Sequence, residues 1–352
     1  MTNFCSDNVT GATPEILAAL AAANEGDAMP YGEDMWTRRA EALFREVFEC
    51  DLEIFPVATG TAANALALSQ ITPSYGIIYA HPNSHVYSEE CGASEFYTGG
   101  AKLIPVAGVN GKLNLNDLQE AIIADKTREV PHPHPTAVSI TQVSEAGTIY
   151  SFAELKALTE LVHGHGLSLH MDGARFANAV VALRCTPAEA SWKAGVDVLS
   201  FGATKNGALA AEAVLVFNTS RARNLTFRRK RGGHLISKMR LLSAQLTTYL
   251  SDDLWLRLAH HANAQAMRLA AGLEDMPDAR LVHPADANLI FVELPEAVVD
   301  GLEADGFRFY RGPDDGGRVT LRLVTAFNTE PKDVDAFLAS ARRHAEDHTS
   351  RD

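Results

Sequence analysis

Two short apolar runs, each closed by small residues around one ionisable side chain, constrain this chain more than any other feature. Val196 to Gly207 reads VDVLSFGATKNG, and Leu167 to Arg175 reads LSLHMDGAR. Apolar, partly β-branched runs of this length predict strands buried on both faces, and Gly202 breaks the first of them. Strands covered on both sides belong to a mainly parallel α/β sheet. Ligands of such sheets bind beyond the strand C-termini, so Lys205 and Asp172 are expected at the edge where a ligand sits. The plain alternatives are a solvated loop lysine and a salt bridge at the edge of the core.

A lysine and an aspartate at strand ends of one sheet are also what pyridoxal phosphate chemistry requires. The amine joins the cofactor covalently, and the carboxylate keeps the pyridine nitrogen protonated so that the ring withdraws electrons. An anion cup is then needed. Ala58-Thr59-Gly60-Thr61-Ala62-Ala63-Asn64, between a predicted strand at Glu53 to Val57 and a helix, offers small residues whose N–H groups close on an anion at a helix start. A tight strand-to-helix turn is the competing reading. The stretch has neither P-loop nor GxGxxG spacing, which disfavours a nucleotide or nicotinamide enzyme.

Length and composition bound the rest. A chain of 352 residues, 46% hydrophobic and 21% charged, suits two domains with a sizeable core. No run approaches the roughly 18 apolar residues of a membrane span, and the N-terminus lacks a secretory pattern, so a cytoplasmic location is expected. Cys5, Cys50, Cys91 and Cys185 have no CxxC spacing and predict free thiols rather than disulfides or a zinc site. The PHPHPT run, Pro131 to Thr136, lacks an acidic or cysteine partner, and no metal is expected there. A formal charge of −13 opposes non-specific binding to nucleic acid or an anionic membrane.

Along the chain, Thr13 caps a predicted helix from Pro14 to Asn24, and a second runs from about Thr37 to Glu49. Strands at Gly76 to Tyr79, Lys102 to Val106 and Ala137 to Val143 alternate with helices. One of these starts at the capping box Ser151-Phe152-Ala153-Glu154. This alternation implies right-handed crossovers. After a further strand at Ala213 to Phe217 comes the basic run Arg228 to Arg231, ordinarily a solvated face. From Asp252 a long helix leads to strands at Leu289 to Leu294, Phe307 to Tyr310 and Val319 to Leu323, with helices near Glu296 to Ala304 and Glu330 to His344, a smaller α+β unit. The expected division is an N-terminal arm at 1–25, a large domain at 26–250 and a small domain at 251–352, with a frayed end after Glu346.

The whole constellation resembles the threonine aldolase family, pyridoxal enzymes of the aspartate aminotransferase fold (fold type I). SDNVTGATPE at Ser6 to Glu15, YGEDMWT at Tyr31 to Thr37, ATGTAANALAL at Ala58 to Leu68 and SHVY at Ser84 to Tyr87 carry the resemblance. LHMDGARFAN at Leu169 to Asn178, FGATKNG at Phe201 to Gly207 and LRLVT at Leu321 to Thr325 complete it, in the family's order.

The resemblance implies pyridoxal 5'-phosphate on Lys205, with Asp172 at its ring nitrogen and Gly60, Thr61 and Thr204 about it. It implies that His85 stacks on the ring and is the first candidate for the catalytic base, directly or through a water. Arg175 is expected at the cofactor phenolate or substrate carboxylate, and Arg322 and Ser6 at the carboxylate. Lys230 and Lys238 are expected at the phosphate site, and Tyr31 near the active site, reaching in from a partner subunit. The family's histidine ahead of the Ala137 strand falls nearest Pro131, so His132 is the expected substitute. The implied reaction is reversible retro-aldol cleavage of L-threonine, L-allo-threonine and related β-hydroxy amino acids such as phenylserine to glycine and an aldehyde, in a homodimer or homotetramer. A related fold type I lyase or racemase, and a non-catalytic relative, are the alternatives.

Overall fold

The structure is a computed structural model that describes residues 2–128, 130–219 and 222–349. Seven strands form its central sheet: β1 Glu53–Val57, β2 Gly76–Ala80, β3 Lys102–Pro105, β4 His134–Thr141, β5 Ser168–Gly173, β6 Val198–Gly202 and β7 Glu212–Val216. Their order is β1-β7-β6-β5-β4-β2-β3, and only β7 runs against the rest. The sheet is therefore mixed but mainly parallel, as its near-continuous apolar strands require. One edge consequently collects the C-terminal ends of β1, β2, β4, β5 and β6, together with the start of β7.

Local signals in the sequence account for the ends of several elements. Thr13 Oγ1 accepts the Ile16 N–H at the start of the helix Pro14–Asn24, and Ser151 and Glu154 close a reciprocal capping box on the helix Phe152–Gly164. Below β6, Phe44, Phe48, Phe176, Phe201, Tyr249 and Trp255 pack ring against ring, with centroids from 5.1 to 6.4 Å apart. Each buried ring contributes on the order of 1.5–3 kcal/mol, so the turn that follows Phe201 stands on a stiff floor.

The second sheet is antiparallel, β8 Arg280–Leu281, β9 Leu289–Pro295, β10 Tyr310–Asp315 and β11 Arg318–Val324, in the order β10-β11-β9-β8. The strand expected at Phe307 to Tyr310 begins only at Tyr310. Phe307 and Phe309 turn into the core against Phe337, and the polar run after Tyr310 pairs with β11. The helices Leu254–Glu274 and Pro331–Thr349 belong to this unit, and the second of them continues past Glu346; residues 350–352 lie outside the described residues. A helix at Arg240–Leu250 escaped the sequence reading. The first residues join the small sheet, with Phe4 N–H on the Arg308 carbonyl at 2.7 Å and the Phe4 ring against Phe337. The chain then turns Ser6 and Asp7 toward the edge of the large sheet.

Candidate active site

Lys205 lies in a 3-10 turn, Thr204–Asn206, immediately beyond β6. Asn206 locks that turn by donating to Tyr249 Oη at 2.7 Å and to the Trp255 carbonyl at 2.9 Å. Gly207 closes it at φ +101°, where an added Cβ would lie 2.7 Å from Thr13 Cγ2, so only glycine fits. Thr204 Oγ1 accepts the Ala211 N–H at 3.1 Å. The Lys205 amine makes no hydrogen bond or ion pair among the described residues.

Asp172, at the end of β5, is 3% exposed. Its oxygens accept from Asn64 Nδ2 at 3.0 Å and the Ala174 N–H at 3.0 Å, yet no described cation pairs with it. A buried carboxylate that faces a cavity and pairs with no described cation fits a ligand that brings an N–H⁺. Across the same cavity, of about 400 Å³, Thr59, Gly60 and Thr61 line the wall at the start of the helix Gly60–Ile71. Thr59 Oγ1 takes the Ala62 N–H, and the N–H groups of Gly60 and Thr61 are the orphan donors of the helix start. The donor set therefore fits pyridoxal phosphate: an amine, a carboxylate and an anion cup around one cavity.

Glu212, at the start of β7, stands in register with both Val57 of β1 and Gly202 of β6, and burial pushes its carboxyl up to about 7. It accepts the Ala203 N–H at 3.1 Å and lines the same cavity, a neighbour of Lys205 that no sequence signal marked.

His85 opens a four-residue helix, His85–Ser88. Its Nδ1 meets Glu90 Oε1 at 2.8 Å, and Asn64 Nδ2 bridges Glu90 Oε1 at 2.8 Å to Asp172. The Glu90 hydrogen bond raises the His85 pKa above its ordinary value against the effect of burial, and the charges of Asp172, Glu90 and Glu145 add to it. The same contact favours the charged, donating form of the ring over the neutral one. Glu90 and Asn64 escaped the sequence reading as site residues, although a histidine followed five residues later by a carboxylate could have drawn attention to Glu90.

A second, outer cavity of about 680 Å³ adjoins the first and is lined by Ser6, Arg175, Tyr310 and Arg322 among others. Arg175 does not have its whole fork free. Its Nε and Nη2 donate to the two Asp7 oxygens at 2.7 and 2.9 Å, both side chains being buried. Burial alone would raise the Asp7 carboxyl, but Arg175, with Lys205 beyond it, holds it below the usual aspartate range. Arg322 meets no carboxylate among the described residues; one Nη donates to the Cys5 carbonyl at 3.0 Å and the guanidinium lies over the Tyr310 ring. Burial and the facing Arg175 both lower its pKa, the mark of two cations converging on a place for an anion. Ser6 Oγ spends itself on the Asn8 N–H at 3.1 Å while lining that place.

Four expected residues stand elsewhere. His132 precedes β4, whose eight residues span roughly 25 Å, and it is exposed at the opposite end of the sheet from the cavities. Within one subunit it cannot substitute for an active-site histidine, because the strand carries the chain away from it. Tyr31, at φ +59°, carries Lys230 Nζ over its ring at 4.2 Å, and neither residue, nor the exposed Lys238, lines either of these two cavities. The basic run, predicted to be solvated, forms the helix Arg223–Arg231, and Arg229 packs over Phe55, where burial lowers its pKa to about 10. Glu145, which no sequence argument singled out, lines both cavities.

A parallel-dominated sheet carrying Lys205, Asp172 and the Thr59–Thr61 cup at one edge, with a small antiparallel unit supplying Arg322, defines a fold type I pyridoxal phosphate enzyme. Residues 3–297 match the family model described as beta-eliminating lyase. The chain is 46% identical over 93% of both chains to the low specificity L-threonine aldolase of Pseudomonas aeruginosa, and 43% identical over 96% of both to that of a Pseudomonas species. The threonine aldolase structure from Leishmania major superposes with a TM-score of 0.92 at 30% identity, covering 97% of this chain and 99% of that one. The chain belongs to the threonine aldolases of the beta-eliminating lyase family. No helix among the described residues is long and apolar enough to cross a membrane.

Proposed function

We propose that this protein cleaves the Cα–Cβ bond of L-threonine, L-allo-threonine and related β-hydroxy-α-amino acids such as phenylserine, releasing glycine and an aldehyde, reversibly. The observation that carries the reading is that Lys205 and Asp172, neither in an ion pair among the described residues, line the inner cavity while two arginines converge on the outer one. When bound, pyridoxal phosphate supplies the electron-withdrawing ring that takes up the electron pair released at Cα. Lys205 would anchor it, Asp172 would keep its ring nitrogen protonated, and the N–H groups of Gly60 and Thr61 would hold its phosphate, with Thr204 lining the same cavity.

Arg322, joined by the free Nη1 of Arg175 and by Ser6, binds the substrate carboxylate from the outer side. Fixing that group orients Cα, and orientation selects which of its bonds breaks. His85, held by Glu90, would face the bound cofactor from the cavity wall and offer it a hydrogen-bond donor. Asp7 keeps Arg175 aimed.

A second copy of the chain completes the site. Met29, Tyr31, Met35 and Phe227 are exposed and Lys230 lies over the Tyr31 ring, apolar and basic groups suited to a symmetric partner that brings Tyr31, Lys230 and Lys238 to the neighbouring phosphate. The working form is a homodimer or a tetramer of two such pairs. Four free thiols accord with a cytoplasmic location.

The test is product analysis with purified protein supplied with pyridoxal phosphate. Equimolar glycine and aldehyde from threonine, allo-threonine and phenylserine are expected. Ammonia with a keto acid, or inversion at Cα without aldehyde, would replace the aldolase reading by elimination or racemisation. Lys205→Ala should abolish the cofactor that borohydride fixes to the chain, and retained fixation would assign the wrong lysine.

A further inference from the structure

The geometry points to Glu145 as the carboxylate that accepts the β-hydroxyl proton of the substrate, an assignment that rests on the aldolase reading. Asn8, His85, Glu145 and Lys205 are the residues that line both the inner and the outer cavity. They mark the border where cofactor meets substrate, and the bond that breaks lies there. An amide does not take up a proton, and Lys205 is committed to the cofactor. His85 commits its Nδ1 to Glu90, a contact that favours its charged form. Glu145 alone of the four offers an acceptor-only side chain that no described residue hydrogen-bonds or pairs with.

Its freedom is itself informative. The charge of Glu145 is felt by His85, Arg175 and Arg322, so it stands among cations, yet it pairs with none of them. Arg175 spends Nε and Nη2 on Asp7, and Arg322 gives a donor to the Cys5 carbonyl. A carboxylate in a pocket built for a substrate carboxylate is repulsive unless it acts on the substrate.

The backbone beneath it is held tightly. Gln142 N–H meets the Asp172 carbonyl at 2.8 Å, and its amide group exchanges two hydrogen bonds with the Tyr150 backbone at 3.0 and 2.9 Å. Ser144 Oγ meets Thr148 Oγ1 at 2.8 Å, and the Gly147 N–H closes the turn on the Ser144 carbonyl at 2.9 Å. Gly147 has φ +81°, and an added Cβ would lie 2.2 Å from the Leu289 carbonyl oxygen. Glu145 is thus presented by a preorganised turn at the end of β4.

The step balances without a redox partner. The hydroxyl proton moves to a Glu145 oxygen, the O–H pair becomes the second bond of the departing carbonyl, and the Cα–Cβ pair stays on the glycine carbon. That carbon later takes one proton, and Glu145 returns its own to water.

The holoenzyme carrying Glu145→Gln tests this. Threonine and phenylserine cleavage should fall about 100- to 10,000-fold in kcat. Exchange of the glycine α-proton in D2O at saturating glycine, followed by NMR, should stay within about threefold, because it involves no β-hydroxyl. Glu145→Ala should regain part of its cleavage on addition of formate, and this pair decides the matter if the glutamine variant does not fold. Cleavage within tenfold of wild type, equal loss of cleavage and glycine exchange, or no effect of formate would each overturn the assignment. Absence of aldehyde from the wild type would instead overturn the underlying reading.

Discussion

Replacing Asp7 by asparagine isolates the buried pair that aims Arg175. In the folded chain Asp7 receives two hydrogen bonds from Arg175 at 2.7 and 2.9 Å and one from Asn288 Nδ2 at 3.1 Å, with the two charged side chains only 1% and 3% exposed. The variant keeps the shape but leaves a guanidinium buried without a counter-charge, which costs about 3–5 kcal/mol. Spread over the unfolding entropy of a chain this long, about 0.7 kcal/mol per degree, that corresponds to a fall of about 4–7 °C in Tm if the chain unfolds as one unit. Thermal unfolding of the cofactor-loaded protein by circular dichroism reads it. Arg175→Gln should lose a similar amount, and the double variant should lose less than the sum, since removing both charges leaves none stranded.

The sign with pH follows from the depressed Asp7 pKa. Its stabilisation is fully present above the ordinary aspartate value and is lost as pH falls through the lower folded value. The penalty of Asp7→Asn should therefore be constant near neutrality and shrink only below about pH 4. A Tm within 1 °C of wild type, or strictly additive losses in the double variant, would refute the reasoning.

Arg322→Lys should raise KM for threonine about 10- to 150-fold with a smaller change in kcat, because an ammonium loses the two-pronged grip on the carboxylate; steady-state kinetics separate the two. Gly207→Ala forces a side chain into the left-handed region 2.7 Å from Thr13 Cγ2, and should lower stability by about 1–3 kcal/mol and loosen the Lys205 turn, as read by denaturation and cofactor retention. Glu90→Gln removes the largest influence raising the His85 pKa, so the imidazole should titrate at lower pH in NMR than in the wild type.

Much of this architecture could be read from local pattern. Buried strands announce themselves as apolar runs, caps as Thr13 and Ser151, and the chemistry of the site as Lys205 and Asp172 just past two such runs. Composition and spacing also made a metal, a dinucleotide and a membrane span poor expectations for the chain. What stayed hidden depends on which ends of which elements meet. Glu145 and Glu212 have no motif to themselves, and each gains meaning only from neighbours the fold brings to it. His132 fails for the complementary reason, since it is close in sequence to the right strand but at its wrong end. Asp7 and Arg175 lie 168 residues apart, and their pairing required the first residues to join the small sheet before crossing to the large one. The sequence by itself determined the elements and the cofactor chemistry, because periodicity, capping and the end of a buried strand are local properties. Tertiary structure alone decided which carboxylates are paired, which is free and which arginine can take a substrate, because burial and charge partnership are properties of packed surfaces.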